Sequence, residues 1–219
     1  MISRIILDRV LPRVFAGMDA EAPVRDSALW LRTVELIRPA RYLIEAESGT
    51  GKSSLISFIY GSRDDYDGSI FFDDVPARML SVDQWSRMRT DTLALLPQEM
   101  RLFPELTVMD NILIKNRLTD YKSGREIEEM LERVELQART YAYAGRLSVG
   151  QQQRVAIVRS LCQPFGFLLL DEPVSHLDAR NNAVVAAMIA DEAATQSASI
   201  ISTSVGNPLA ISGAEVIRL

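Results

Sequence analysis

One cysteine, Cys162, and one histidine, His176, are all that the 219 residues hold of those two types. A lone thiol rules out an intrachain disulfide and a cysteine-based metal cluster, and any imidazole chemistry would rest on a single side chain. Positive charge is also short. Lys and Arg number 24 against 29 Asp and Glu, a formal net charge of -5, so the chain lacks the broad basic surface that binding a phosphate backbone needs, and no nucleic-acid partner is expected. No apolar run approaches the roughly 18 residues of a membrane-crossing helix. Arg4, Asp8, Arg9 and Arg13 break up the N-terminal stretch before a secretory hydrophobic region could form, and a cytoplasmic location is expected. Internal repeats, low-complexity tracts and Pro/Gly/Ser-rich linkers are missing too. What remains, 47% apolar and 24% charged residues, suits one globular unit able to bury a core, and a single domain over 1–219 is expected.

Tyr42 to Ala46 reads as a short buried strand that enters a Gly-containing turn and then a helix from about Lys52 to Tyr60. Gly61 to Gly68 is a polar, acidic loop, and Ser69 to Asp73 reads as another strand. From about Ser81 to Cys162 the pattern is helical, with Ile127, Met130, Leu131 and Val134 spaced to share one helix face. Phe167 to Leu170 is a continuous apolar run of the kind found in strands covered on both faces. A helix over Ala183 to Ala190 and a β-rich Ser199 to Ser202 follow. The expected organisation is therefore an α/β core, 1–80 and 165–219, interrupted by a helical lobe over 81–164.

Three segments carry chemistry. Ala46-Glu-Ser48-Gly49-Thr50-Gly51-Lys52-Ser53, with Ser54 after it, nearly satisfies the phosphate-loop pattern. In that pattern glycines let backbone N–H groups curl around phosphate oxygens at a helix N-terminus, a lysine meets the β/γ-phosphates and a hydroxyl ligates Mg²⁺. Ala46 replaces the first glycine, which requires a negative φ there. The alternative is a Gly-rich turn capping an ordinary helix, and the flanking strand and helix argue against it. Next, Asp171 and Glu172 emerge where the Phe167–Leu170 strand would end, at the sheet edge on which a phosphate loop also opens. Asp171 would hold Mg²⁺ and Glu172 would orient or deprotonate the attacking water; taken alone, the pair could equally be a solvated acidic turn. Third, Leu147-Ser148-Val149-Gly150-Gln151-Gln152-Gln153-Arg154 precedes a helix with Val155, Val158 and Cys162 on one face. Ser148 is a good N-cap, and the free amides and hydroxyl of such a terminus suit a phosphate.

This third segment resembles the signature motif of the ABC ATPase family. The order phosphate loop, Gln98, signature, Asp171-Glu172, Ser175-His176-Leu177-Asp178 matches that family along most of the chain. The resemblance implies a P-loop NTPase core of α/β class, with a mainly parallel sheet, an antiparallel β portion and an inserted helical lobe carrying the signature. It also implies ATP and Mg²⁺ as ligands, and a head-to-tail dimer in which Ser148, Gly150 and Gln151 meet the partner subunit's nucleotide. Gln98 would touch Mg²⁺ and the water, and Asp178 would help bridge the two sites. Phe15 lies near the family's adenine-stacking aromatic, with core packing as the alternative. His176 reads as an interface or surface residue rather than a base. Met100 to Val108 resembles the surface that receives a membrane subunit, or is apolar packing within the lobe. Ala214 to Leu219 resembles the last core strand, with no appended regulatory domain expected.

Two departures stand out. Where the family has a histidine that contacts the γ-phosphate, this chain has Ser204, which can donate a hydrogen bond but cannot become a cation, so slow hydrolysis is expected. Val149 replaces the signature's first glycine; a positive φ there would strain it by about 1–2 kcal/mol. The function implied is the ATP-hydrolysing subunit of an ABC transporter, peripheral on the inner face of the cell membrane. Its partners would be integral membrane permease subunits and a second ATP-binding subunit, itself or a paralogue. The alternatives are a mechanotransmitting ATPase of a membrane complex that transports nothing, and a soluble regulatory ABC protein. Its compactness and Gln-rich signature are similar to the lipoprotein-release, macrolide-export and cell-division branch, and amino-acid importers share these features.

Overall fold

A computed structural model describes residues 2–18 and 20–219. The first half runs β1 (Arg4–Pro12), α1 (Ala22–Arg25), β2 (Thr33–Ile37), β3 (Arg41–Glu45), α2 (Lys52–Ile59), β4 (Tyr66–Phe72), β5 (Val75–Pro76) and α3 (Val82–Asp91). It continues as β6 (Leu93–Leu96), α4 (Val108–Asn116), α5 (Gly124–Arg133), α6 (Val149–Leu161), β7 (Phe167–Leu170), α7 (Ala179–Thr195), β8 (Ser199–Ser204) and β9 (Glu215–Arg218). A four-stranded antiparallel sheet is ordered β2-β1-β4-β5, and a five-stranded parallel sheet β6-β7-β8-β3-β9. The α/β class, with its parallel sheet and antiparallel portion, is as expected.

β7 explains why the parallel sheet is layered as it is. All four of its residues are fully buried, and successive side chains point to opposite faces. Leu168 and Leu170 join a cluster with Ile112, Leu131, Val158 and Ile189 from the helices of one side. Phe167 and Leu169 join a second cluster with Leu55 and Ile59 of α2 and with Ile5 and Leu7 of β1. Each such side chain contributes about 1.5–3 kcal/mol of burial. A strand roofed on both faces has no reason to alternate polar with apolar, which is why it reads as an unbroken run.

The helices of the first cluster start on polar caps. Ser123 and Glu126 form a capping box before α5, and Ser148 and Gln151 another before α6. Ile127 and Leu131 of α5, with Val134 just past its end, bury the predicted face. Val155, Val158 and Cys162 do so for α6.

One expectation is corrected. The stretch over 81–164 is not wholly helical, because Leu93–Leu96 is β6, paired in parallel with β7 from Leu93↔Phe167 to Leu96↔Leu170 at the edge of the core sheet. Leu-Ala-Leu-Leu is rich in good helix formers and has no β-branched residue, so local propensity favours helix; burial beside β7 overrides it. Helix α3 therefore lies before this strand, and the run of consecutive helices α4, α5 and α6 starts after it.

Register aligns the site. Leu96 pairs with Leu170, Leu170 with Ser202, Ile44 with Thr203 and Glu45 with Ser204. Because these strands are parallel, the loops beginning at Ala46, Pro97 and Asp171 leave from one sheet edge, beside the end of β8.

Candidate functional site

The loop between β3 and α2 turns through Gly49 at φ +85 and Gly51 at φ +97, a region that side chains rarely adopt. A Cβ on Gly51 would also stand 3.0 Å from the Trp30 ring and 3.2 Å from Phe15. Trp30 Nε1 donates to the Thr50 carbonyl at 3.0 Å, and the Thr50 hydroxyl donates to the Glu47 carbonyl at 2.9 Å, so the loop is pinned from below and within. Ala46 is not among the residues of positive φ, as its replacement of glycine requires. Gly51 supplies no side-chain cap to α2, leaving first-turn amides for an anion. Ser48 and Gly49 are exposed, as is Ser53 in that turn. Ser54 is engaged elsewhere, its hydroxyl accepting from Arg63 at 3.0 Å.

Lys52 folds back over this loop. Its Nζ donates to the carbonyls of Ala46 at 3.2 Å and Glu47 at 2.5 Å, and the residue is only 5% exposed. Burial pushes its pKa below the usual lysine value, while the charges of Glu172 and Asp171 oppose that shift. The ammonium thus occupies a hollow with no counter-anion in hydrogen-bond contact among the described residues, held by carbonyls that an incoming phosphate could replace.

Asp171 is buried, and its N–H donates to the Leu96 carbonyl at 2.9 Å. The Thr203 hydroxyl donates to Asp171 Oδ1 at 2.8 Å and accepts from the Glu172 N–H at 3.0 Å. Glu172 has φ +49, a left-handed conformation costing about 1–2 kcal/mol in a residue with a Cβ. Two contacts support it: Thr203 at its amide, and Gln153 Nε2 at its carbonyl, 3.2 Å away. Buried Gln153 also accepts from the His176 N–H at 3.0 Å, tying α6 to the loop after β7.

Gln98 is exposed in the turn two residues past β6, and its side chain has no hydrogen-bond partner among the described residues. Ser148 is exposed at the start of α6, its Oγ accepting from the Gln151 N–H at 3.3 Å and its own N–H donating to Gln151 Oε1 at 3.0 Å. Gly150 lets α6 approach the next loop, since a Cβ there would lie 3.0 Å from the His176 carbonyl oxygen. Asp178 caps α7, accepting from the Asn181 N–H at 2.8 Å and its side-chain amide at 3.0 Å, bonds that hold its carboxyl below the usual range. His176 is exposed, with Nδ1 3.1 Å from the Ser175 hydroxyl.

Two expectations change here. Val149 is the first residue of α6 without a positive φ, so the anticipated strain is absent; its side chain is 49% exposed. Phe15 is 9% exposed and packs in the core beside Trp30 and Gly51, giving the stacking role no support. Ser204 is 2% exposed, its buried Oγ has no hydrogen-bond partner among the described residues, and its carbonyl accepts from the Ala46 N–H at 3.3 Å, which places it beside the loop. The Met100–Val108 segment divides between its two readings: Val108 is fully buried and Leu102 packs on the core, but Phe103 is 51% exposed. Trp30, Gln153 and Thr203 were missed as site residues.

The residues fit Mg²⁺ bound together with a nucleotide. Asp171 Oδ2, the Ser53 hydroxyl and the Gln98 amide have no partners among the described residues, yet these residues contain no cluster of three His, Cys, Asp or Glu. A hard cation here would need phosphate oxygens to complete its shell.

The family model described as ABC transporter matches residues 34–175. The aliphatic sulfonates import ATP-binding protein SsuB of Bacillus subtilis (strain 168) is 38% identical over 151 residues, 68% of this chain and 56% of that protein. The lipoprotein-releasing system ATP-binding protein LolD of Buchnera aphidicola subsp. Schizaphis graminum (strain Sg) is 34% identical over 145 residues, 65% and 63%. The match thus spans less than two thirds of the length of both relatives. Among solved structures, the dimeric post-hydrolysis state of the ATP-binding cassette MJ0796 bound to ADP and Pi superposes with a TM-score of 0.73 at 25% identity, covering 86% of this chain and 85% of that one.

Proposed function

The chain belongs to the ABC transporter ATP-binding family, and from that premise we propose that it binds and hydrolyses ATP to drive a pair of integral membrane subunits. It would do so by closing head to tail with a second ATP-binding subunit, itself or a paralogue. The observation that carries this reading is the arrangement at one sheet edge. Lys52 feels the charges of Asp171 and Glu172, and Gln98 leaves the same edge two residues beyond β6.

Each residue then has a task. The amides from Ser48 to Ser54 and the Lys52 ammonium bind phosphate oxygens, Lys52 exchanging its two carbonyl partners for them. Ser53, Asp171 and Gln98 would hold Mg²⁺, which would supply charge neutralisation to the transferring phosphoryl group. Glu172 orients the attacking water and accepts its proton, while Thr203 and Gln153 fix the backbone on either side of that carboxylate. Ser148, Gly150 and Gln151 meet the nucleotide held by the partner subunit, and Asp178 lies at the same interface. The exposed Phe103 belongs to the surface offered to a membrane subunit. No helix among the described residues is long and apolar enough to cross a membrane, which agrees with a peripheral subunit on the inner face of the cell membrane.

Ser204 supports a second reading. With no cationic donor at the end of β8, turnover is slow, and a long-lived ATP-bound dimer suits an ATPase that transmits force within a membrane complex without transport.

Affinity purification of tagged Glu172→Gln protein from detergent-solubilised membranes, with ATP and Mg²⁺ present, tests the proposal. An integral membrane protein recovered in stoichiometric amount is expected. Recovery of soluble partners alone, or of none, would overturn the membrane-complex assignment.

A further inference from the structure

Arg159 lies ten residues past the start of α6, and its guanidinium faces no carboxylate within salt-bridge distance among the described residues. It donates instead to two consecutive backbone carbonyls, that of Arg101 at 2.8 Å through Nη1 and that of Met100 through Nη2. Those carbonyls belong to the loop that follows β6 and carries Gln98. Met100 and Arg101 are both in the left-handed region, at φ +59 and +49 respectively, where neither would settle without outside support. A planar fork presents one N–H to each of two neighbouring carbonyls in a fixed orientation; a lysine at this position is an atom shorter and has no such plane to hold the pair in register. Farther along, the loop is tied to α4, where Asn111 Oδ1 accepts from the Phe103 N–H at 2.8 Å. Gln98 itself is exposed, and its side chain is unbonded among the described residues.

The other end of α6 begins at Ser148, and between the two lies Gln153, which grips the Glu172 carbonyl and the His176 amide. Gln153 and Arg159 are six residues apart, roughly 9 Å along a helix. One rigid element therefore holds both loops that supply the water-handling and metal-holding side chains.

We propose that Arg159 is a positioning residue that fastens the Gln98 loop to α6, so that engagement of Ser148 at the N-terminus of the helix is transmitted to Gln98. The inference rests on the ATP-binding reading for its consequence, but not for the contact itself. In the fastened state Gln98 keeps one position relative to Glu172. With the fork removed, the loop relaxes from its left-handed turns and Gln98 loses that register.

Amide hydrogen exchange over residues 98–103, in the nucleotide-free full chain, tests the fastening. In Arg159→Lys, exchange is expected to be at least tenfold faster there, with α4, α6 and the melting temperature little changed. Arg159→Met, which keeps most of the side-chain packing, should behave alike. Unchanged exchange in both variants overturns the proposal. Steady-state ATP hydrolysis then tests transmission: kcat should fall about tenfold in Arg159→Lys at an unchanged KM, and an unchanged kcat overturns that half. A parent protein that neither binds nor hydrolyses ATP would instead refute the proposed function, while the exchange result still decides for or against the fastening.

Discussion

The hydroxyl of Thr203 serves Asp171 and its neighbour in one stroke, donating to Asp171 Oδ1 at 2.8 Å while accepting from the Glu172 N–H at 3.0 Å. It fixes which Asp171 oxygen stays free, and it supports a glutamate whose φ is +49. A valine keeps the shape of Thr203 and removes the hydroxyl, leaving a buried amide and a carboxylate oxygen unpaired at about 1–3 kcal/mol.

Thr203→Val should therefore lower ATP turnover by about 10- to 100-fold, the range found for groups that orient metal ligands, with ATP affinity nearly unchanged. Steady-state hydrolysis together with equilibrium ATP binding checks this. Parent-like turnover would mean that the hydroxyl only fills space.

Lys52→Met separates the cost of the buried ammonium from its use. Burial depresses the pKa of Lys52, so its contribution to stability is fully present above the ordinary lysine pKa and is lost as pH falls through the lowered value. At neutral pH the charge opposes folding until a phosphate meets it. The variant should melt no lower than the parent without nucleotide at pH 7, and ATP with Mg²⁺ should no longer raise its melting temperature. A clearly lower melting point without nucleotide would contradict the account.

The two glycines of the phosphate loop should not respond alike. Gly49→Ala meets no atom within 4 Å and incurs only the left-handed penalty, about 1–2 kcal/mol, whereas Gly51→Ala adds a contact at 3.0 Å with Trp30. Urea unfolding should show Gly51→Ala to be the more destabilised. Equal losses would place the difficulty in φ alone.

Ser204 yields opposite predictions for stability and rate. Its Oγ is buried with no partner among the described residues, so Ser204→Ala should leave stability unchanged or raise it by about 1 kcal/mol. Ser204→His should raise ATP turnover at nearly unchanged affinity by restoring a donor able to carry charge. Destabilisation by alanine, or turnover not raised by histidine, would count against these assignments.

How much of this was readable beforehand follows from where each contact partner lies in the chain. The phosphate loop, the Asp171-Glu172 pair and the Ser148 cap are local patterns whose chemistry is set by residues a few positions apart, and the structure keeps them so. Thr203 is 32 residues from Asp171 and Trp30 is 20 from Thr50, and nothing in the local sequence of either announces its role. Gln153 stood within a motif already singled out, but its function is a backbone grip on Glu172, visible only once α6 lies against that loop. β6 was misread because a strand of Leu and Ala is defined by its neighbour and not by its own preference. Phe15 stayed open between two readings for a similar reason: an aromatic near a phosphate loop can stack on a base or pack beneath a glycine, and Gly51 leaves room for the second.

Sedimentation velocity of Glu172→Gln protein with saturating ATP and Mg²⁺ tests the central claim most directly, because that change removes the proton acceptor and should trap the closed state. The account predicts a nucleotide-dependent dimer, stoichiometric in ATP, that disappears when Lys52→Met is added. A monomer at saturating ATP, or a dimer indifferent to both nucleotide and Lys52, would contradict it.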